Sequence, residues 1–71
     1  MDVLDVKGLS CPLPVTRTKK FLDTGVKELR ILGTGNTAKQ NVTRFAKSQG
    51  FKAEITAEAD GEWTMILTKL K

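Results

Sequence analysis

Residues 27–50, KELRILGTGNTAKQNVTRFAKSQG, change their period halfway along. From 27 to 32 the chain alternates. Leu29 and Ile31 point one way, Glu28 and Arg30 the other, which is the period of a half-buried strand. Gly33-Thr34-Gly35-Asn36 is the turn out of it. Beyond the turn, Ala38, Val42, Phe45, Ala46 and Gln49 form the stripe of an amphipathic helix. Lys39, Thr43, Arg44 and Lys47 cover much of its outside. Thr37-Ala38-Lys39-Gln40 matches a capping box, with Thr37 bonding forward and Gln40 bonding back. Gly50 is placed to cap the other end.

Working outward toward the N-terminus, residues 2 to 6 predict a short strand from Val3, Leu4 and Val6, closed by Gly8. Leu9-Ser10-Cys11-Pro12-Leu13-Pro14 is too rich in proline for a strand interior. It predicts the start of a helix running to about Asp23, since proline is tolerated in a first turn. Val15, Thr18 and Leu22 share one face of that helix, with Phe21 beside it. Gly25 stands where a helix end favours a left-handed residue, and Val26 is its apolar companion.

Toward the C-terminus the pattern is a hairpin. Phe51, Ala53, Ile55 and Ala57 alternate with polar residues, and Asp60-Gly61 is a strong tight-turn signal. Trp63, Met65 and Leu67 alternate with Thr64, Ile66 and Thr68, so both faces of the last strand carry apolar groups. That suits a strand inside the sheet. The order is βαβαββ. The first two strands are expected to be parallel, with a right-handed crossover, and the last two antiparallel. Two helices on one face of a four-stranded mixed sheet make a two-layer α/β (α+β) sandwich. Residues 1–71 read as a single domain, without repeat or linker.

A chain of 71 residues buries only about 60% of the surface its unfolded form exposes. It leaves little volume for a deep pocket with its own catalytic apparatus, which favours a carrier or binding module. The formal net charge is +4. It fits electrostatic steering toward nucleic acid or an acidic partner, and equally a solubility device. One cysteine and no histidine are present. An internal disulfide is excluded, no zinc ligand set exists, and a Cys-His nucleophilic pair is excluded. No metal or cofactor is expected. The N-terminus lacks the basic start and apolar run of a signal peptide, and no apolar stretch approaches membrane-spanning length. The expected location is cytoplasmic, where a thiol stays reduced.

Composition alone files a lone cysteine under core packing. Position argues otherwise. Cys11 directly precedes a helix start, and the partial positive charge of a helix N-terminus stabilises a thiolate. A thiol at its usual pKa is only about 3% ionised at neutral pH, and one lowered to 7 is about half ionised. Pro12 and Pro14 remove two N–H donors, so Leu13 and the residues after Pro14 must supply them. In exchange the prolines hold the segment extended. Arg17, Lys19 and Lys20 either favour a thiolate or persulfide or form a solvated face. Gly33-Thr34-Gly35 fits a plain turn and, more weakly, a phosphate cradle. With no resolving cysteine and no general base, an activated thiol suits a group carrier.

Gly8-Leu9-Ser10-Cys11-Pro12-Leu13-Pro14 resembles the Cys-Pro-x-Pro signature of the TusA/SirA/YedF family of sulfur carriers, and the resemblance extends over essentially the whole chain. Residues 41–51 look most like the YedF-type branch, in which a DsrE-like domain often follows and a link to selenium metabolism occurs. The resemblance implies that Cys11 accepts sulfur as a transient persulfide, with Pro12 and Pro14 shaping its loop. It implies a cysteine desulfurase or rhodanese-type donor, and a downstream acceptor such as a DsrE-like protein. Transfer RNA thiolation, molybdenum-cofactor synthesis and sulfur oxidation are the family's destinations. Many relatives carry acidic residues after the second strand, where this chain has Gly33-Thr34-Gly35-Asn36. The alternatives are a small basic RNA-binding module and a selenium carrier. The first is disfavoured because no stacking motif or Gly-x-x-Gly clamp is present.

Overall fold

The structure is a computed structural model that describes residues 2–10 and 13–70. Strand β1 spans Asp2–Asp5, helix α1 Leu13–Leu22, strand β2 Glu28–Thr34, helix α2 Asn36–Ser48, strand β3 Phe51–Ala59 and strand β4 Glu62–Lys69. The sheet order is β1-β2-β4-β3. β1 runs parallel to β2, and β4 pairs antiparallel with both β2 and β3. The expected βαβαββ sandwich is therefore present, with β4 inside the sheet.

Alternation decides which face is buried. Leu29 lies opposite Leu67 and Ile31 opposite Met65, and all four are fully buried. Leu4 continues the row on β1, beside Ile31. Val42 and Ala46 of α2 close over it, and Val15, Phe21 and Leu22 of α1 pack against its edge. Each such aliphatic side chain contributes about 1.5–3 kcal/mol by leaving water. The opposite sheet face, with Val3, Arg30, Leu32 and Ile66, stays exposed or half-exposed.

The α1 stripe is as expected, with Pro14 added to it. Thr18 is fully buried and its hydroxyl donates to the Pro14 carbonyl at 2.8 Å. Pro14, four residues earlier, is buried beside it. After Leu22 the chain turns through Gly25 at φ +90°, a backbone region that costs an L side chain about 1–2 kcal/mol.

Three local expectations fail. The capping box does not form: α2 begins at Asn36, with Gly35 as its N-cap and no side-chain cap. Thr37 therefore lies inside the first turn. The Gly35 carbonyl accepts from the Lys39 amide at 3.2 Å, and its own amide donates to the Gly61 carbonyl at 3.0 Å. The helix thus starts two residues earlier than a Thr37 cap would place it, beside that tertiary bond. Gln49, placed in the apolar stripe by spacing, is the exposed C-cap of α2, with Gly50 following at φ +81°. Finally, the alternation of β3 breaks at a bulge. Ile55 pairs with Met65 but Ala57 with Thr64, so Thr56 is the extra residue and Ala57 crosses to the open face. Ile55 is 38% exposed and Ala57 is exposed. An edge strand has no second neighbour to hold a regular ladder, and bulges are common there.

Candidate functional site

The parallel pair β1 and β2 ends, at its carboxyl side, in two connections. Residues 6–12 lead from β1 to α1, and Gly35 leads from β2 to α2. In open sheets containing parallel strands this is the end where functional groups gather.

The first connection is tied down stepwise. The Val6 amide donates to the Leu32 carbonyl at 2.7 Å, and the Val6 side chain is buried. The Lys7 amide donates to Asp5 Oδ1 at 2.9 Å. Gly8 turns at φ +76°, and its amide donates to Thr34 Oγ1 at 3.0 Å. The Leu9 amide returns to the Val6 carbonyl at 3.2 Å, and the Leu9 side chain packs against the core. The Leu13 amide donates to the Ser10 carbonyl at 2.8 Å. Cys11 and Pro12 lie outside the described residues, and Ser10 and Leu13 flank them.

One expectation changes: Leu13 N–H, a candidate donor toward a thiolate, is engaged with Ser10. Pro14 lies in the first turn of α1, as the helix-start reading expects, and is buried. Leu13 opens the helix with 43% exposure, leaving an apolar group at the protein surface next to the cysteine in sequence.

The three cations differ in place. Arg17 is exposed one turn after Leu13. Lys19 and Lys20 occupy the last turn of α1, about 9–10 Å along the axis from Leu13. That is about a Debye length at physiological salt. Lys19 contacts Asp23 at 3.4 Å with both side chains mostly exposed. Both lysines complement the helix C-terminus, and Arg17 is the cation nearest the start.

The second connection holds what residue patterns missed. A Cβ on Gly33 would overlap the ring of Trp63, its cross-strand partner. The Trp63 Nε1–H donates to the Gly35 carbonyl at 2.9 Å. The Gly35 amide donates to the Gly61 carbonyl at 3.0 Å, so that N–H is not free to face a phosphate. Thr34, inside a Gly-x-Gly turn, joins the two connections through its hydroxyl. Only the glycine on either side hinted that the backbone here is closely approached.

Similarity places this architecture. A family model described as Sulfurtransferase TusA matches residues 2–69. A candidate sulfur carrier protein of Methanocaldococcus jannaschii is 34% identical over 71 residues, covering 97% of this chain and 95% of its own length. The sulfur carrier protein TusA of Allochromatium vinosum is 31% identical over 68 residues, covering 93% of this chain and 90% of its own. The crystal structure of a SirA-like protein from Desulfitobacterium hafniense superposes with a TM-score of 0.84 at 27% identity, covering 96% of both chains. With the matched fold and matches along nearly its whole length, the chain belongs to the TusA family of sulfur carriers.

Proposed function

We propose that the chain carries sulfur as a persulfide on Cys11. The observation that supports this most is membership of a sulfur-carrier family in a chain with a single cysteine and no histidine. No other side chain of the sequence is a thiol. Among the described residues no helix is long and apolar enough to cross a membrane.

In the proposed step the Cys11 thiolate attacks the outer sulfur of a donor persulfide. A new S–S bond forms to Cys11 and the donor's S–S bond breaks. The donor's inner sulfur leaves with the electron pair as a thiolate, and the outer sulfur keeps its proton. An acceptor thiolate then attacks the same outer sulfur, and Cys11 leaves as a thiolate. The two exchanges need no external oxidant, because the sulfane sulfur is passed at constant oxidation state. The donor is a cysteine desulfurase or rhodanese-type protein. The acceptor is a downstream relay protein such as a DsrE-like one, with transfer RNA thiolation as one destination.

The test is uptake of labelled sulfur from a desulfurase supplied with labelled cysteine, read by mass spectrometry without reductant. The wild-type protein should gain one sulfur atom on Cys11. Cys11→Ser should fold normally and gain none. Equal labelling of the two proteins would overturn the proposal.

A further inference from the structure

We propose that the open face of the sheet associates with the same face of a second copy of this chain, about a twofold axis along β4. The helices cover the other face, over Leu29, Ile31, Met65 and Leu67. The residues that alternate with these point to the open side, and the ladder fixes their layout. β4 lies between β2 and β3. Across Thr68, Glu28 of β2 stands in one row with Lys52 of β3. Across Ile66 the row holds Arg30 and Glu54, and across Thr64 it holds Leu32 and Ala57. Members of a row stand two strand spacings apart, about 10 Å. Among the described residues Glu28 and Arg30 form no salt bridge. Lys52 and Glu54 contact each other at 3.8 Å, with both side chains mostly exposed.

A twofold axis along the middle strand exchanges the two sides. It lays β2 of each copy over β3 of the other, as in two stacked sheets with nearly aligned strands. Each of these rows then matches. Glu28 meets Lys52, Arg30 meets Glu54 and Leu32 meets Ala57, each contact occurring twice by symmetry. The bulge in β3 serves this pattern. Regular pairing beyond Ile55 would put Thr56 and then Glu58 on the open face, with Glu58 opposite Glu62. The extra residue puts Ala57 and Ala59 there instead, and Glu58 turns to Lys39 of α2. The two alanines border an open cavity of about 200 Å³ beside Leu32 and Thr64, which gives room for Leu32 of the second copy. The one mismatch is Glu62, which meets itself across the axis. Three strands of this length cover about 400 Å² per copy. That is about half of what one partner gives to a standard stable interface, so the dimer is weak and forms with rising concentration.

The experiment is sedimentation equilibrium of the full chain from about 10 μM to about 1 mM, the range of a weak complex. Wild type should pass from monomer toward dimer. Arg30→Glu and Glu54→Arg each put two like-charge contacts into the interface, and each should weaken association at least about tenfold. An equimolar mixture of the two should recover it, because the reversed charges then face opposite ones. The double variant should recover it for the same reason. Both single variants keep a positive formal charge, so bulk attraction does not account for recovery in the mixture. Glu62→Gln should tighten the dimer. Trp63 fluorescence checks folding, and Glu28→Lys with Lys52→Glu repeats the design one row away if a variant of the first pair does not fold. A wild type that stays monomeric at about 1 mM overturns the proposal and leaves the face to water or to a different protein. Association unchanged by Arg30→Glu also overturns it, because the contact then lies elsewhere. So does loss in the single variants without recovery in their mixture, because the two residues then do not meet across a twofold axis.

Discussion

At the scale of single residues, Gly33 and Trp63 form one unit. The ring of Trp63 occupies the space that any side chain at 33 would need, and Trp63 is itself buried, with 3% of its surface exposed. Gly33→Ala is predicted to lower stability by about 1–3 kcal/mol, the usual penalty of overpacking a filled core. Chemical unfolding followed by Trp63 fluorescence measures this. The native emission should also shift, because the indole must leave the Gly35 carbonyl. An unchanged midpoint and spectrum would show that the ring does not lie over Gly33. Cys11→Ser is the opposite kind of change, with loss of sulfur uptake expected at little change in unfolding midpoint.

At the scale of elements, the β3–β4 hairpin is set by two residues. Asp60 and Gly61 have φ +54° and +77°, the sign pattern of a turn whose twist matches that of the strands it joins. Gly61 also offers its carbonyl to the Gly35 amide, so the hairpin tip supports the start of α2. Gly61→Ala is predicted to cost about 1–2 kcal/mol from the left-handed backbone alone. Asp60→Gly should be nearly neutral or slightly stabilising by the same argument. Thermal unfolding of the two variants separates them. If both destabilise equally, backbone sign is not what holds the turn. On the edge strand, Lys39 of α2 meets Glu58 of β3 at 2.7 Å. Glu58 is half exposed, and such a pair adds at most about 1 kcal/mol. It trims the bulged edge and does not hold the layers together.

At the scale of the whole molecule, the formal charge of +4 invites a nucleic-acid reading that the aromatic side chains do not support. Trp63 and Phe51 are buried, Phe21 packs half-buried against the core, and Phe45 is half-buried. Stacking on single-stranded bases needs exposed rings. RNA affinity is therefore expected to be weak and to fall steeply between low and physiological salt, as for purely phosphate contacts. Fluorescence anisotropy with a labelled single strand measures it. Tight binding by Cys11→Ser at physiological salt would favour the RNA module over the carrier.

What the chain's own residues determined is whatever depends on near neighbours. Period two in 27–32 and period 3.6 in 38–46 place β2 and α2. Apolar groups on both faces of 63–67 place β4 inside the sheet. Gly25 and Asp60-Gly61 mark turns because a left-handed backbone tells on its own residue type. The group-carrier reading was legible too, through one thiol without a partner and the motif around it. Tertiary structure decided the rest, because the deciding contacts join residues far apart in sequence. The Thr37 capping box lost to Gly35, held by Gly61 and by Trp63, 28 residues away. The inward row of β3 ended at a bulge that only its pairing with β4 reveals. Thr34 became part of the site only when β1 and β2 lay side by side and brought the Gly8 amide to its hydroxyl. Periodicity and turn chemistry report the energy of short stretches of chain. A hydrogen bond across 26 residues has no local signature, so folding had to reveal it.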